Sequence, residues 1–434
     1  MKSAVPIVVA MAVVGGLSFA AGAGFMDVGT ILLILALGAV VVPLSARLAR
    51  ERDAWIWWVA PTAYLVKLLG AGARYAVLFE AYEGSGDAVR YHNNGIVLAE
   101  TWRSFSVPPI GSGSGAGTQF VDALTGLIYA VHQPTMLGGF IIFATLAFVG
   151  QLLFYTSFRR AVPGGRLAVY ALLVLFLPAL VFWPSSIGKE SLMLLALGLA
   201  TYGLTRAFDG YRLSWLLLAA LGLAGAGIIR PHVAALLAGA FALAVLMGRG
   251  QWTGAMVVRR PLVIVVSIGL LAVGVVAVGD RFDIATADEV DPFVSEIERR
   301  TQQGGSSVEG GAAASPAELP AATLRVLFRP LPHEAHNVQS LASSAENVAL
   351  LGLIIWRLPA MFRHASHLRN PFVLMSSAFS VGFVVAFSSV FNLGILTRQR
   401  AQVLPFLLAV VVALGWGTQM PENSEAATMG ALTA

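Results

Sequence analysis

Asp87, Arg90 and Tyr91 stand at i, i+3 and i+4 in the stretch GDAVRYH, which puts them on one face of a helix with His92 beside them. A carboxylate in a partly dry cleft, its ionisation tuned by neighbouring cations, is suited to taking a proton from an attacking hydroxyl. The structural alternative makes Asp87 a helix N-cap after Gly86, with Arg90 as its ion-pair partner. Lys189 and Glu190 stand together in FWPSSIGKES, between uncharged runs at 167–182 and 191–204. A lysine at the positive end of a helix is unfavourable unless an anion binds there, and Ser185 and Ser186 would add hydroxyl donors to a phosphate. An internal Lys–Glu pair, or a lysine reaching along the helix to water, is the competing reading.

Arg230 and His232 flank Pro231 in the tight turn IIRPH. The fixed proline backbone presents both side chains from a rigid corner, where a guanidinium suits phosphate oxygens and an imidazole a leaving group. Interfacial anchoring by Arg230 is the alternative. Arg329, His333, Glu334 and His336 lie in LFRPLPHEAHN, and Glu346 falls in the apolar run that follows. An intramembrane carboxylate is a functional or ion-pair candidate, and Lys67, Lys189 and Arg230 are its expected partners. His333, Glu334 and His336 match no strong metal-ligand spacing, so no metal or other cofactor is assigned. Arg398 and Arg400 precede the last apolar run; residues i and i+2 diverge on a helix, so one of them is expected to face a common site. Lys67 and Arg74 share a helix face and could line that site from below.

The elements that must position these groups are membrane helices. The 434 residues are 57% hydrophobic and only 12% charged, with mean hydropathy +0.77, where a soluble domain carries roughly a quarter charged residues. The absence of cysteine excludes disulfides, thiolate metal sites and cysteine nucleophiles. The net charge of +5 is spread along the chain, which argues against nucleic acid as a partner. Apolar runs of about 17–25 residues number about twelve, near 4–24, 28–46, 55–79, 136–158, 167–183, 188–205, 213–229, 233–248, 261–279, 340–357, 371–391 and 402–417. The short pair 213–229 and 233–248 also fits a partly re-entrant hairpin. The first run, behind Lys2 and ending in small residues, is either a span or a cleaved leader. The expected architecture is thus all-α and polytopic: one helical domain over 1–420 and a disordered cytoplasmic tail, 421–434.

Arginines fill the turns after alternate spans, at Arg47 to Arg52, Arg159 to Arg166, Arg206 and Arg212, Arg249 to Arg260, and Arg357 to Arg369. The positive-inside rule then places both termini in the cytoplasm of a multi-pass protein of the cytoplasmic (inner) membrane. All the candidate segments fall on the opposite, external face. Two external loops, 80–135 and 280–339, are long enough to hold helices of their own. The glycine-rich stretch at 111–117 and the linker at 303–316 read as mobile lids or spacers. Charge repeatedly placed at one membrane face predicts a shared polar cavity there.

The ordered set GDAVRYH, FWPSSIGKES, IIRPH, LFRPLPHEAHNVQSLASSAEN and RQR resembles bacterial polysaccharide-assembly membrane proteins. It is similar to the multispanning glycosyltransferases of the GT-C type and to repeat-unit polymerases, over most of residues 55–405. The resemblance implies a GT-C-like bundle with an external-face cavity and a polyprenyl-phosphate-linked sugar as donor, with a glycan or lipid acceptor and membrane lipids as further partners. It also implies Asp87 as base, and Lys189, Arg230 and Arg398 or Arg400 on the donor phosphate, while His232, from its place in the IIRPH turn, would act in catalysis at the leaving group. Arg90, Tyr91, His92, Glu190, Arg329, His333, Glu334 and Glu346 would line the cavity or bind substrate. Among the sequence's departures from the family, the acid nearest Asp87 is Glu83, four residues earlier, where the family often has neighbouring acids. A polymerase or ligase led by Arg230 and His232 is the second reading. A transporter or flippase of anionic lipid-linked glycans is the third, though no internal repeat supports it.

Overall fold

The computed structural model describes residues 55–109, 111, 115–131, 134–209, 212–248 and 316–417, together with isolated helical positions among 30–43 and at 261 and 269. The expected span 4–24, nearly all of 261–279, most of 28–46, the linker at 303–316 except its last residue, and the tail at 421–434 lie outside these residues. So do residues 112–114 of the glycine-rich stretch.

Among the described residues every regular element is helical. In chain order they are α1 (Ile56–Ala76), α2 (Asp87–Arg103), α3 (Ala116–Val131), α4 (Met136–Ala161), α5 (Leu167–Phe176), α6 (Pro178–Phe182) and α7 (Lys189–Ala207). They continue with α8 (Leu213–Ile229), α9 (Pro231–Met247), α10 (Leu319–Phe328), α11 (Val338–Arg363), α12 (Pro371–Phe387), α13 (Leu393–Gln399) and α14 (Leu404–Trp416). By length and composition, α4 and α11 are each able to cross a membrane, and α13 with α14 forms a third candidate bent by 62°. Five of the others, α5, α8, α9, α10 and α12, are shorter apolar helices. Large apolar side chains point outward on α11 (Ile355, Trp356, Phe362) and on α12 (Val381, Val385). Water would penalise such a surface and hydrocarbon would not.

At the centre, α7 packs against α4 on one side and α8 on the other. Small residues make this possible. A Cβ on Gly198 would lie 2.5 Å from the Gly150 carbonyl oxygen, so the α4–α7 crossing tolerates only hydrogen at that point. α4 is buried around most of its surface, whereas α11 runs along the edge of the bundle.

One expected span is broken. The run 167–183 divides at Leu177 because Pro178 has no N–H to continue the α5 ladder. The Val174 carbonyl left over by that proline accepts from Gln151 Nε2 at 2.7 Å. The short α6 is held at both ends by buried charge. Glu346 accepts from the Ala179 N–H at 2.7 Å, and Lys67 Nζ donates to the Leu180 carbonyl at 2.6 Å. The expected run 402–417 is found as α14, which the tight turn at Arg400–Gln402 joins at an angle of 62° to the preceding α13. The pair 213–229 and 233–248 forms two full helices meeting at Arg230, the last residue before Pro231.

Candidate functional site

α2, α7 and α9 all begin at one cavity of about 680 Å³. Their starting residues explain why. Gly86 precedes α2 and Gly188 precedes α7, and neither helix has a side-chain cap on its first-turn N–H groups. α9 starts at Pro231 after Arg230, again without a side-chain cap. Three helix starts thus turn their positive ends toward the same space, an arrangement that favours an anion.

The side chains add to this field. Asp87, Arg90, Tyr91, Lys189, Glu190, Arg230, His232 and Arg398 all line the cavity, together with Arg74. Five cationic groups therefore face two carboxylates, a formal excess of three positive charges with His232 neutral. Glu190 offsets one of them, accepting from Arg230 Nη2 at 3.1 Å. The other terminal nitrogen of Arg230, Nη1, is buried and has no hydrogen-bond partner among the described residues. Asp87 is half-exposed, with one carboxylate oxygen 3.3 Å from Arg90 and the other 3.9 Å from Arg398. Arg90 also lies over the Tyr91 ring, 5.1 Å from its centroid. Burial, reinforced by the Asp87 carboxylate, raises the Tyr91 phenol above its usual value, so this hydroxyl stays protonated at neutral pH.

Two smaller cavities adjoin the first, and all three meet at Tyr82 and Trp183. One, of about 390 Å³, is lined by His333, Glu334 and His336 with Asn337, Gln339, Ser340 and Ser343. Tyr82 closes it toward α11 by donating to Gln339 Oε1 at 2.9 Å. The other, of about 470 Å³, is mainly apolar, walled by Val77, Ala81, Phe182, Trp183, Val338 and Ala342, with Glu346 at one margin.

Four expected site residues are occupied elsewhere. Arg400 is almost fully buried and donates to the Asn347 side chain and the Arg329 carbonyl, because the turn at 400–402 rotates it away from Arg398. Arg329 is bound to Glu334, Nε to Oε1 at 2.7 Å, and lines none of the three cavities. His92 Nδ1 lies 2.7 Å from the Tyr129 hydroxyl, and burial holds its imidazole below the usual value, hence neutral. Glu346 caps α6 instead of joining an expected partner: Lys67 is bound to the Leu180 carbonyl of the same short helix, and Arg230 is paired with Glu190. Burial would raise the Glu334 carboxyl, but Arg329 and the Leu331 N–H outweigh it and hold that group below its usual value. Among the described residues no group of three or more His, Asp or Glu side chains is arranged to hold a metal ion.

Other contributors carried little or no sequence signal. Tyr82, Trp183, Asn392 and Gln399 line the main cavity, Tyr82 from a π-helical turn at Val77–Ala81 and Asn392 from the cap of α13. Of the pair expected to line the site from below, Arg74 does so, with its guanidinium carbon 5.1 Å from the Phe182 ring and 4.9 Å from Trp183, while Lys67 is taken up by the Leu180 carbonyl. Behind α2, Asp122 is buried on α3, with one carboxylate oxygen lacking a partner among the described residues. Burial raises its carboxyl against the opposing pull of Asn94, Arg90 and Lys189. A lone aspartate in the apolar run QFVDALTGLIYAV was the available signal for it. Glu83 sits exposed in the turn before α2, with φ of 51°, and does not line the cavity. Compared with family models, with characterised proteins and with solved structures, the chain matches none.

Proposed function

We propose that the protein is a membrane glycosyltransferase that takes a sugar from a polyprenyl-phosphate carrier at the outer face of the cytoplasmic membrane, in cell-envelope polysaccharide or glycolipid synthesis. The observation that carries this reading is the single cavity in which Asp87 shares space with Lys189, Arg230, His232 and Arg398. An excess of cations over carboxylates, added to three helix starts, suits a phosphate whose charge grows as its bond to the sugar breaks. The apolar groove beyond Trp183 gives a hydrocarbon tail a path to lipid.

In the reaction Asp87 accepts the proton of an acceptor hydroxyl. The freed oxygen attacks the anomeric carbon from the face opposite the phosphate. The bond from that carbon to the phosphate oxygen breaks, its electron pair leaves with the polyprenyl phosphate, and the configuration inverts. Lys189, Arg230 and Arg398 stabilise the departing anion, with His232 beside it. Glu190 keeps Arg230 aimed into the cavity through their 3.1 Å contact. Removing one preorganised charge of this kind costs about 10²–10³-fold in turnover.

The test is mass spectrometry of envelope glycans and lipid-linked intermediates from cells lacking the gene and carrying wild-type or variant copies. The deletion is expected to remove one glycan and accumulate its lipid-linked precursor. Lys189→Ala, Arg230→Ala and Asp87→Asn, each present at wild-type level as folded protein, are expected not to restore it. Near-normal product from all three would refute the cavity assignment. Arg230 and His232 in the same cavity also favour a second reading, a repeat-unit polymerase or ligase in which they are the principal actors. Asp87→Asn separates the two, being tolerated only in the second.

A further inference from the structure

A second cationic site lies at the opposite end of the same helices. The main cavity sits at the starts of α4 and α7, with Phe140 and Lys189, and at the end of α8, with Ile229. At their other ends, Arg160 closes α4, Arg206 closes α7 and Arg212 precedes α8; with Asp209 and Trp215 these line a pocket of about 350 Å³. α7 has 19 residues, so the two sites are separated by roughly 28 Å along its axis, close to the thickness of a bilayer's hydrocarbon core.

The pocket is built, not merely basic. The Arg206 guanidinium carbon stands 4.1 Å from the Tyr202 ring centroid and 4.9 Å from that of Trp215, and Nη2 donates to the Tyr202 hydroxyl at 2.6 Å. Its Nε is buried without a partner among the described residues. Asp209 is the one carboxylate lining the pocket and accepts from Arg160 Nε at 2.5 Å, leaving a formal charge of +2. Immediately beyond Arg212, Leu213, Leu217 and Leu221 stand exposed at four-residue spacing, a single apolar stripe along α8. A guanidinium cluster continuous with an exposed hydrocarbon stripe has the chemistry of both halves of one molecule.

We propose that this pocket binds the phosphate headgroup of an anionic glycerophospholipid in the leaflet opposite the main cavity, with an acyl chain along Leu213, Leu217 and Leu221. The site uses no residue of the glycosyl-transfer cavity, and its test does not depend on that activity.

Native mass spectrometry of the purified full chain, titrated separately with phosphatidylglycerol, phosphatidylcholine and inorganic phosphate, decides the matter. One phosphatidylglycerol is expected to be retained at concentrations where phosphatidylcholine and inorganic phosphate are not. The double variant Arg160→Gln, Arg212→Gln is expected to weaken that retention about thirty-fold, as for the loss of two basic contacts at an anionic headgroup. Asp209→Asn, which removes the competing carboxylate, is expected to strengthen it. Thermal unfolding of each variant in phosphatidylcholine checks that the fold is intact. Equal retention of both lipids, equal binding of inorganic phosphate, or undiminished retention by the folded double variant would overturn the proposal.

Discussion

Arg398 and Arg400 show how one turn of backbone separates ligand from scaffold. They are two residues apart, and the sequence establishes only that they diverge. The change from α13 into the tight turn at 400–402 then decides that Arg398 faces the cavity while Arg400 ties α11 to the Arg329–Pro330 segment. Lys189 and Arg230 were legible because each sets charge beside hydrocarbon or against the helix dipole, and Asp87 because its spacing shares a helix face with Arg90 and Tyr91. Tyr82 and Trp183 were not, since an aromatic in an apolar run reads the same whether it packs or lines a void. Glu334 permits a pH prediction. Its folded carboxyl ionises below the unfolded value of about 4.3, so its contribution is complete above that value and is lost as pH falls through the folded one. Between pH 6 and pH 3 the melting temperature of Glu334→Gln should therefore fall less than that of wild type. An identical fall in both would show that the Arg329–Glu334 pair does not contribute.

At the level of elements, hydropathy located helices within a few residues at 55–79, 136–158, 188–205, 213–229, 233–248, 371–391 and 402–417, and at 340–357 a helix that runs on to Arg363. Their interiors are apolar by necessity, and caps such as Asn337 and Asn370 end the ambiguity at the boundaries. What composition could not reveal was where a continuous apolar run stops being one helix. Pro178 marks the break in 167–183 openly, and the bend from α13 into α14 is followed at once by Pro405 in the first turn of α14. Helix contacts give a second test. Gly198→Val forces a side chain against the Gly150 carbonyl, and overpacking of that kind costs typically 1–3 kcal/mol. Gly72→Ala meets nothing within 4 Å and gains about 1 kcal/mol of helix propensity. The first should lower the midpoint of thermal unfolding in detergent and the second should hold or raise it. Equal shifts would mean that the α4–α7 crossing is not the tight point of the bundle.

Across the whole molecule, the separation of the two cationic sites by about the length of α7 invites a direct measurement of orientation. The natural chain contains no cysteine, so single substitutions report accessibility without background. Ser85→Cys, at the exposed lip of the main cavity, should react with a membrane-impermeant maleimide in intact cells. Arg166→Cys, exposed ahead of α5, should react only after permeabilisation. Labelling of both in intact cells, or the reverse pattern, would contradict the arginine-based topology. The wedge α6 carries a consequence of its own. Lys67 and Glu346 grip its two ends, and the turn bearing Ser186, Gly188 and Lys189 begins immediately after it. Selection that looked only at the chemistry would spare these two anchors, yet loosening either would let a whole wall drift. A substrate phosphate would then find every charge still present and none of them where it is wanted.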